Sequence, residues 1–318
     1  MLAAACSAPE TDKITMPFTK RVSVIMPFDQ WLSTNQNTLK WGIVEEVEAL
    51  GYQTEIFFDP RGKAGLAADK AWSASEADRV TRRCVGAVLI GMPRWSFSTP
   101  QGAVRLPTEF CYYEGAIAYT LRLPMLILVQ QNVVRRVVFD NGYGGYVGEF
   151  PEAADRTWLA SDAFRVPFGL WRQKLDQRRD IFLGYCSSSE ATARLLKRFL
   201  QEDVGATVLD WKTDFAPGCS ILEQIAEAAS RCSAGIFLFT GDDQLTDRAH
   251  KDKAVPRDNV LFEAGYFTNA KGKDHVLIVR QAGAKMPADL GGDIYASLQD
   301  KSKIAPIKET IRRFVDGL

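Results

Sequence analysis

DIFLGYCSSSEATARLLKRFL, residues 180–200, decides the fold. A short apolar run, 180–186, reads as a strand. The polar break Ser187-Ser188-Ser189-Glu190 then opens a helix that runs to about Asp203. The same order occurs earlier in the chain, where the apolar run RVSVIM (21–26) leads through a polar loop to a helix from about Gln36 to Leu50.

The correspondence continues element by element. TEIFFD (54–59) matches TVLDW (207–211), the helix at 74–84 matches that at 221–232, and GAVLIG (86–91) matches AGIFLF (234–239). Each half then presents an apolar helix carrying one carboxylate, CYYEGAIAYT around Glu114 and VLFEAGYFTN around Glu263. The closing strand begins 11 residues after Glu114 and 13 after Glu263, as MLILV (125–129) and VLIVR (276–280). Such a pattern is a tandem duplication.

Strands alternating with helices of about 10 to 15 residues build βαβ units and a parallel sheet covered on both faces. The expected fold is therefore α/β, two tandem flavodoxin-like domains. A tail (1–20) precedes the first domain (21–150), and a linker (151–179) leads to the second (180–318). The stretch 130–178 is rich in Gly, aromatics and Arg, with weak periodicity until a helix around Phe168 to Arg178. Its length marks it as a binding loop or a subunit contact.

Composition narrows the function. Of 318 residues, 46% are hydrophobic and 25% charged, and Lys+Arg and Asp+Glu both number 39, so the formal charge is zero. Nucleic acid and anionic membranes are poor partners for such a surface. Six cysteines, at 6, 84, 111, 186, 219 and 232, lack CxxC spacing, and His250 and His275 are the only histidines, which argues against a zinc site and for reduced, cytoplasmic thiols. MLAAACSAPE places only five residues before Cys6, too few for a lipoprotein signal. No stretch approaches the roughly 18 to 20 apolar residues of a membrane helix.

The chemistry concentrates in the second half. Ligands of parallel α/β sheets sit at the carboxyl ends of the strands. There the loops supply Ser187 to Ser189, then Trp211 through Ser220 with Phe215 among them, and then Thr240-Gly241-Asp242-Asp243. Small hydroxyls beside a helix N-terminus suit phosphate and Asp suits ribose hydroxyls, although three serines serve equally as a helix N-cap. Glu263, on the helix after the third strand, is placed to bind a ribose or to stabilise positive charge at an anomeric carbon; pairing with Arg257 would explain it as well.

The blocks GYCSSSEATARLLKRFL, DWKTDFAPGCSILEQIAEAASRCSAGIFLFTGDDQLTD, VPRDNVLFEAGYF and MPADLGGDIYASLQD, in that order, resemble the TIR-like nucleotide-binding domain of bacterial anti-phage effectors of the CBASS/Pycsar type, including those fused to STING. The resemblance covers roughly 180–300 and is sharpest at Arg257-Asp258-Asn259 followed by Phe262-Glu263. It implies a TIR-like domain that cleaves NAD+ with Glu263 as the catalytic residue. Ser187, Ser188, Ser189, Trp211, Phe215, Asp242, Arg257 and Asn259 would hold the dinucleotide. NAD+ is then substrate, with no cofactor or metal implied. Nicotinamide leaves a cationic ring as a neutral molecule, so one carboxylate suffices and the scarcity of histidine is no obstacle.

In the STING fusions the TIR-like domain comes first, whereas here it is C-terminal, and residues 1–179 show no STING, SAVED or cyclic-nucleotide-binding pattern, so the resemblance does not carry over an activating signal. The first half keeps Glu114, and EGAIAYTLRLPMLIL also resembles nucleoside deoxyribosyltransferase-like folds. MPFDQWLSTNQ replaces the serine triplet with bulky residues, which favours a sensor or scaffold, with a nucleotide second messenger as its ligand. Glu114 tied to Arg82 or Arg83 is the bland alternative. The expected function is an immune effector that hydrolyses NAD+ to nicotinamide and ADP-ribose, or a cyclic form, when a signal assembles it. The alternatives are a non-catalytic nucleotide-binding module and a nucleoside-ribosyl transferase.

Overall fold

The computed structural model describes residues 18–68, 70–143, 146–215, 218, 220–241, 243–244, 254–284 and 295–318. The first sheet is built from β1 (Arg21–Ile25), β2 (Gln53–Glu55), β3 (Gly86–Gly91), β6 (Met125–Gln130) and β7 (Val147–Phe150), in the order β2-β1-β3-β6-β7. The second is built from β8 (Arg179–Gly184), β9 (Val208–Asp210), β10 (Cys232–Phe239), β13 (Val276–Gln281) and β14 (Tyr295–Leu298), in the order β9-β8-β10-β13-β14. All pairings within both sheets are parallel. Counted along its own part of the chain, each sheet has the order 2-1-3-4-5, the doubly wound arrangement of flavodoxin-like sheets.

Period-two alternation feeds both faces of each sheet. In β8, Ile181 and Leu183 join the core beneath α5 (Glu190–Arg198) and α9 (Lys308–Asp316), whereas Phe182 joins the core beneath α7 (Ile221–Arg231) and α8 (Asp258–Lys271). Phe182 and Phe267 stack at 4.9 Å, and Phe237 meets Phe267 edge-on at 5.4 Å, which fixes α8 on the sheet. The first sheet is covered by α1 (Thr34–Ala49) on one face and α3 (Glu109–Thr120) on the other, with α2 (Ala74–Arg82) packed against α3. Ser33 closes a capping box with Gln36 and so sets where α1 starts.

Three features differ from the expectation. In the segment 151–179, expected as a linker with a helix from about Phe168, α4 (Asp162–Asp176) begins six residues earlier and buries Phe164, Phe168, Trp171 and Leu175 in the first core. Those positions form one helical stripe, and Pro167 inside the helix hides it from a reading of the sequence. The segment 54–59 pairs as strand only through Glu55. An antiparallel hairpin of β4 (Trp95–Thr99) and β5 (Gly102–Leu106) stands between β3 and α3. A shorter one, β11 (Asp243–Gln244) with β12 (Ala254–Val255), takes the corresponding place between β10 and α8. Among the described residues no helix is long and apolar enough to cross a membrane, and no cluster of His, Cys, Asp and Glu could hold a metal ion.

Candidate active site

At the carboxyl ends of β8 and β9 lies a cleft of about 550 Å³. Ser187, Ser188, Trp211, Phe215, Arg257, Asn259 and Glu263 all line it, so residues up to 76 positions apart in sequence meet on one surface. Asp242 lies outside the described residues, as do Cys6, Cys219 and His250.

Glu263 reaches the cleft because α8 presents it one turn after Asn259, on the face that also buries Val260, Ala264 and Phe267. It is 7% exposed. Its Oε2 has no hydrogen-bond partner among the described residues, and burial pushes its carboxyl up to about 7. Among those residues no ion pair joins it to Arg257, which is instead the exposed N-cap residue of α8. Gly184 makes room for the carboxylate. A Cβ there would lie 2.4 Å from the Phe237 ring and 2.8 Å from Glu263 Oε2.

Ser189 departs from the expected role. It is buried, bonded through Oγ to Thr240 Oγ1 at 2.6 Å, and it does not line the cleft. Nor does its side chain cap α5. It ties the loop after β8 to the loop after β10, while Ser187 and Ser188 keep their places at the cleft. The opposite wall is held by Trp211, whose Nε1 donates to Tyr185 O at 3.0 Å, and by Phe215, stacked on Phe182 at 6.0 Å.

Several participants were not anticipated. Tyr185 donates to Asp210 Oδ1 at 2.8 Å, and Lys197 pairs with the same carboxylate at 3.1 Å, which together lock the β8 and β9 ends. Burial, then the bond to Asp210, raises the Tyr185 hydroxyl above its ordinary range. Lys212 lines the cleft and pairs with Glu190. The residue following Trp211 was a readable cation; Gly184 and Tyr185 carried no pattern separable from the strand itself.

A buried carboxylate with an oxygen left without a partner among the described residues, in a cleft lined by hydroxyls and aromatic rings, suits a ligand that brings its own donors or develops positive charge. Residues 180–300 match the family model of the CAP12/Pycsar effector protein, TIR domain. The chain is 34% identical over 113 residues to the CD-NTase-associated protein 12 of Lachnospiraceae bacterium (strain RUG226), covering 35% of this chain and 35% of that protein. With the CD-NTase-associated protein 12 of Niabella drilacis it shares 30% over 119 residues, 36% of this chain and 38% of that protein. The Pycsar effector protein BcPycTIR of Burkholderia cepacia is 28% identical over 152 residues, 45% of this chain and 50% of that protein. The chain thus spans about a third to a half of the length of these relatives.

Proposed function

We propose that the TIR segment hydrolyses NAD+ to nicotinamide and ADP-ribose or its cyclic form, in a bacterial anti-phage effector built from two tandem flavodoxin-like, TIR-like domains. The observation that carries this is the buried Glu263 carboxylate, whose Oε2 has no partner among the described residues, in a cleft lined by Ser187, Ser188, Trp211, Phe215, Arg257 and Asn259.

The chemistry follows from that placement. Ribose hydroxyls are donors that a carboxylate lacking partners accepts, so binding orients the sugar with its anomeric carbon near Glu263. As the bond to the nicotinamide nitrogen lengthens, the ring takes up the bonding pair and leaves neutral. Positive charge moves to the sugar, where the negative carboxylate stabilises it; the low-dielectric setting strengthens that attraction. Water then adds at the anomeric carbon through an oxygen lone pair and gives up one proton, to the Glu263 carboxylate or to solvent, leaving the ADP-ribose hydroxyl. Trp211 and Phe215 offer flat surfaces for a base, and Ser187, Ser188 and Arg257 offer donors to the pyrophosphate.

The names of the relatives support a nucleotide second messenger as the signal; self-association in the cytoplasm is the consequence this reading assigns to it. The test is incubation of the purified chain with NAD+ and measurement of free nicotinamide, for the parent and for Glu263→Gln.

A further inference from the structure

The first sheet has its own cleft, about 340 Å³, at the carboxyl ends of β1 and β2. Its walls are aromatic. Phe28 and Phe58 meet at 5.4 Å, Trp72 and Phe110 meet edge-on at 4.5 Å, and all four rings line the cavity. Phe58, Phe110 and Phe28 are 51%, 42% and 38% exposed, an unusual disposition for rings that line a cavity and are not buried in a core. Phe58 also holds a φ of 57°, a conformation that a side chain of this size adopts at a cost and that gathers at ligand sites.

Glu114 forms the floor. It is 7% exposed, and its Oε1 accepts from Trp72 Nε1 at 2.8 Å. That bond replaces the pairing with Arg82 or Arg83 that the sequence left open; Arg82 pairs with Asp78. The other carboxylate oxygen has no partner among the described residues. Thr108 is engaged with Cys111 at 3.2 Å, so Glu114 supplies the polar recognition in an otherwise apolar lining. Among the described lining residues there is neither Lys nor Arg.

These walls discriminate. A flat ring slots between aromatic faces, and each stacked base gains about 1–3 kcal/mol. A ring N–H or amino group satisfies the second oxygen of Glu114, an acceptor that cannot donate once ionised. A phosphate finds no cation in the cavity and meets a carboxylate there. The volume lies near the lower end of the roughly 300–1,000 Å³ typical of small-molecule sites, enough for a base and its sugar.

We propose that this N-terminal cleft binds its ligand through a nucleobase, one N–H donor directed at Glu114 between the Phe28–Phe58 and Trp72–Phe110 walls, with phosphate contributing nothing. The site is separate from that of Glu263, and its occupancy is read without turnover. Isothermal titration calorimetry on the full chain, with the five common nucleosides and their 5′-monophosphates, tests it. At least one nucleoside should bind, its monophosphate should bind no more than about threefold tighter, and Glu114→Gln should weaken binding about tenfold, the usual worth of a hydrogen bond to a charged group. Phe110→Ala, at a position 42% exposed, should weaken it severalfold. Circular dichroism verifies that both variants are folded. No nucleoside binding at millimolar concentration, a monophosphate preferred by more than threefold, or affinity unchanged in both variants would overturn the assignment.

Discussion

Replacing Glu263 by Gln should make the protein more stable at neutral and alkaline pH, by an amount that depends on pH in a defined way. Burial raises the carboxyl from 4.5 to about 7, so at about 1.4 kcal/mol per pH unit the ionised form is disfavoured in the fold by about 3 kcal/mol. In the unfolded chain the same group releases its proton near 4.5. Between these values the folded protein holds a proton that the unfolded chain has lost, so the stabilising contribution is intact below about 4.5. It falls as pH rises to about 7 and stays flat beyond. Gln has no proton to lose. The advantage of the variant should therefore rise by about 3 kcal/mol between pH 4.5 and about 7 and stay level above; desolvation of the Gln amide is the same at every pH and lowers the whole curve without changing that rise. Differential scanning calorimetry from pH 4.5 to 8.5 reads it as a rise in Tm, at about 2–8 °C per kcal/mol. A variant that is less stable at pH 8, or an advantage independent of pH, would refute the claim that this carboxylate is buried without a partner.

The other predictions concern rate and architecture. Glu263→Gln should lower NAD+ turnover at least about 100-fold, the usual cost of losing one electrostatic contribution to a transition state. In the parent, kcat/KM should fall about tenfold per pH unit below about 7, where the carboxylate takes up a proton, and level off above it. Gly184→Ala forces a methyl into the Phe237 ring and Glu263 and should cost about 1–3 kcal/mol in denaturation. Ser189→Ala removes the 2.6 Å bond to Thr240 and should cost about 1 kcal/mol with KM for NAD+ little changed, whereas Ser187→Ala should raise KM.

How far the sequence discloses this architecture follows from what side-chain pattern can carry. Strand runs such as 181–184 and 234–239 are apolar throughout because both faces are covered, and the helix after each third strand stands out by one carboxylate set inside its apolar run, Glu114 and Glu263. These features fixed the repeated order of elements and led to Glu263 and its neighbours on the cleft. Ser189 and Ser187 have the same side chain and adjacent environments; only the direction each takes from the 3₁₀ turn at Ser187–Ser189 sends one to Thr240 and the other to the cleft. Gly184 is indistinguishable from a strand glycine until Glu263 is seen above it. The hairpin β4–β5 shows a period-two face, Trp95 and Phe97 opposite Leu106 and Val104, and Pro100-Gln101-Gly102 marks its turn, but it is short, largely exposed and joins neither sheet, so it has no counterpart in the repeated order of core strands. Glu114 was visible, but its partner Trp72 sits 42 positions earlier, in a segment without regular structure.

The most direct measurement is release of nicotinamide from NAD+ by the purified chain across a range of protein concentrations, with light scattering to follow assembly and Glu263→Gln run alongside. Nicotinamide should appear together with ADP-ribose or its cyclic form, rise more steeply than protein concentration as the chains associate, and be absent with the variant. Equal release by Glu263→Gln, or none from assembled parent protein, would contradict NAD+ cleavage at this cleft.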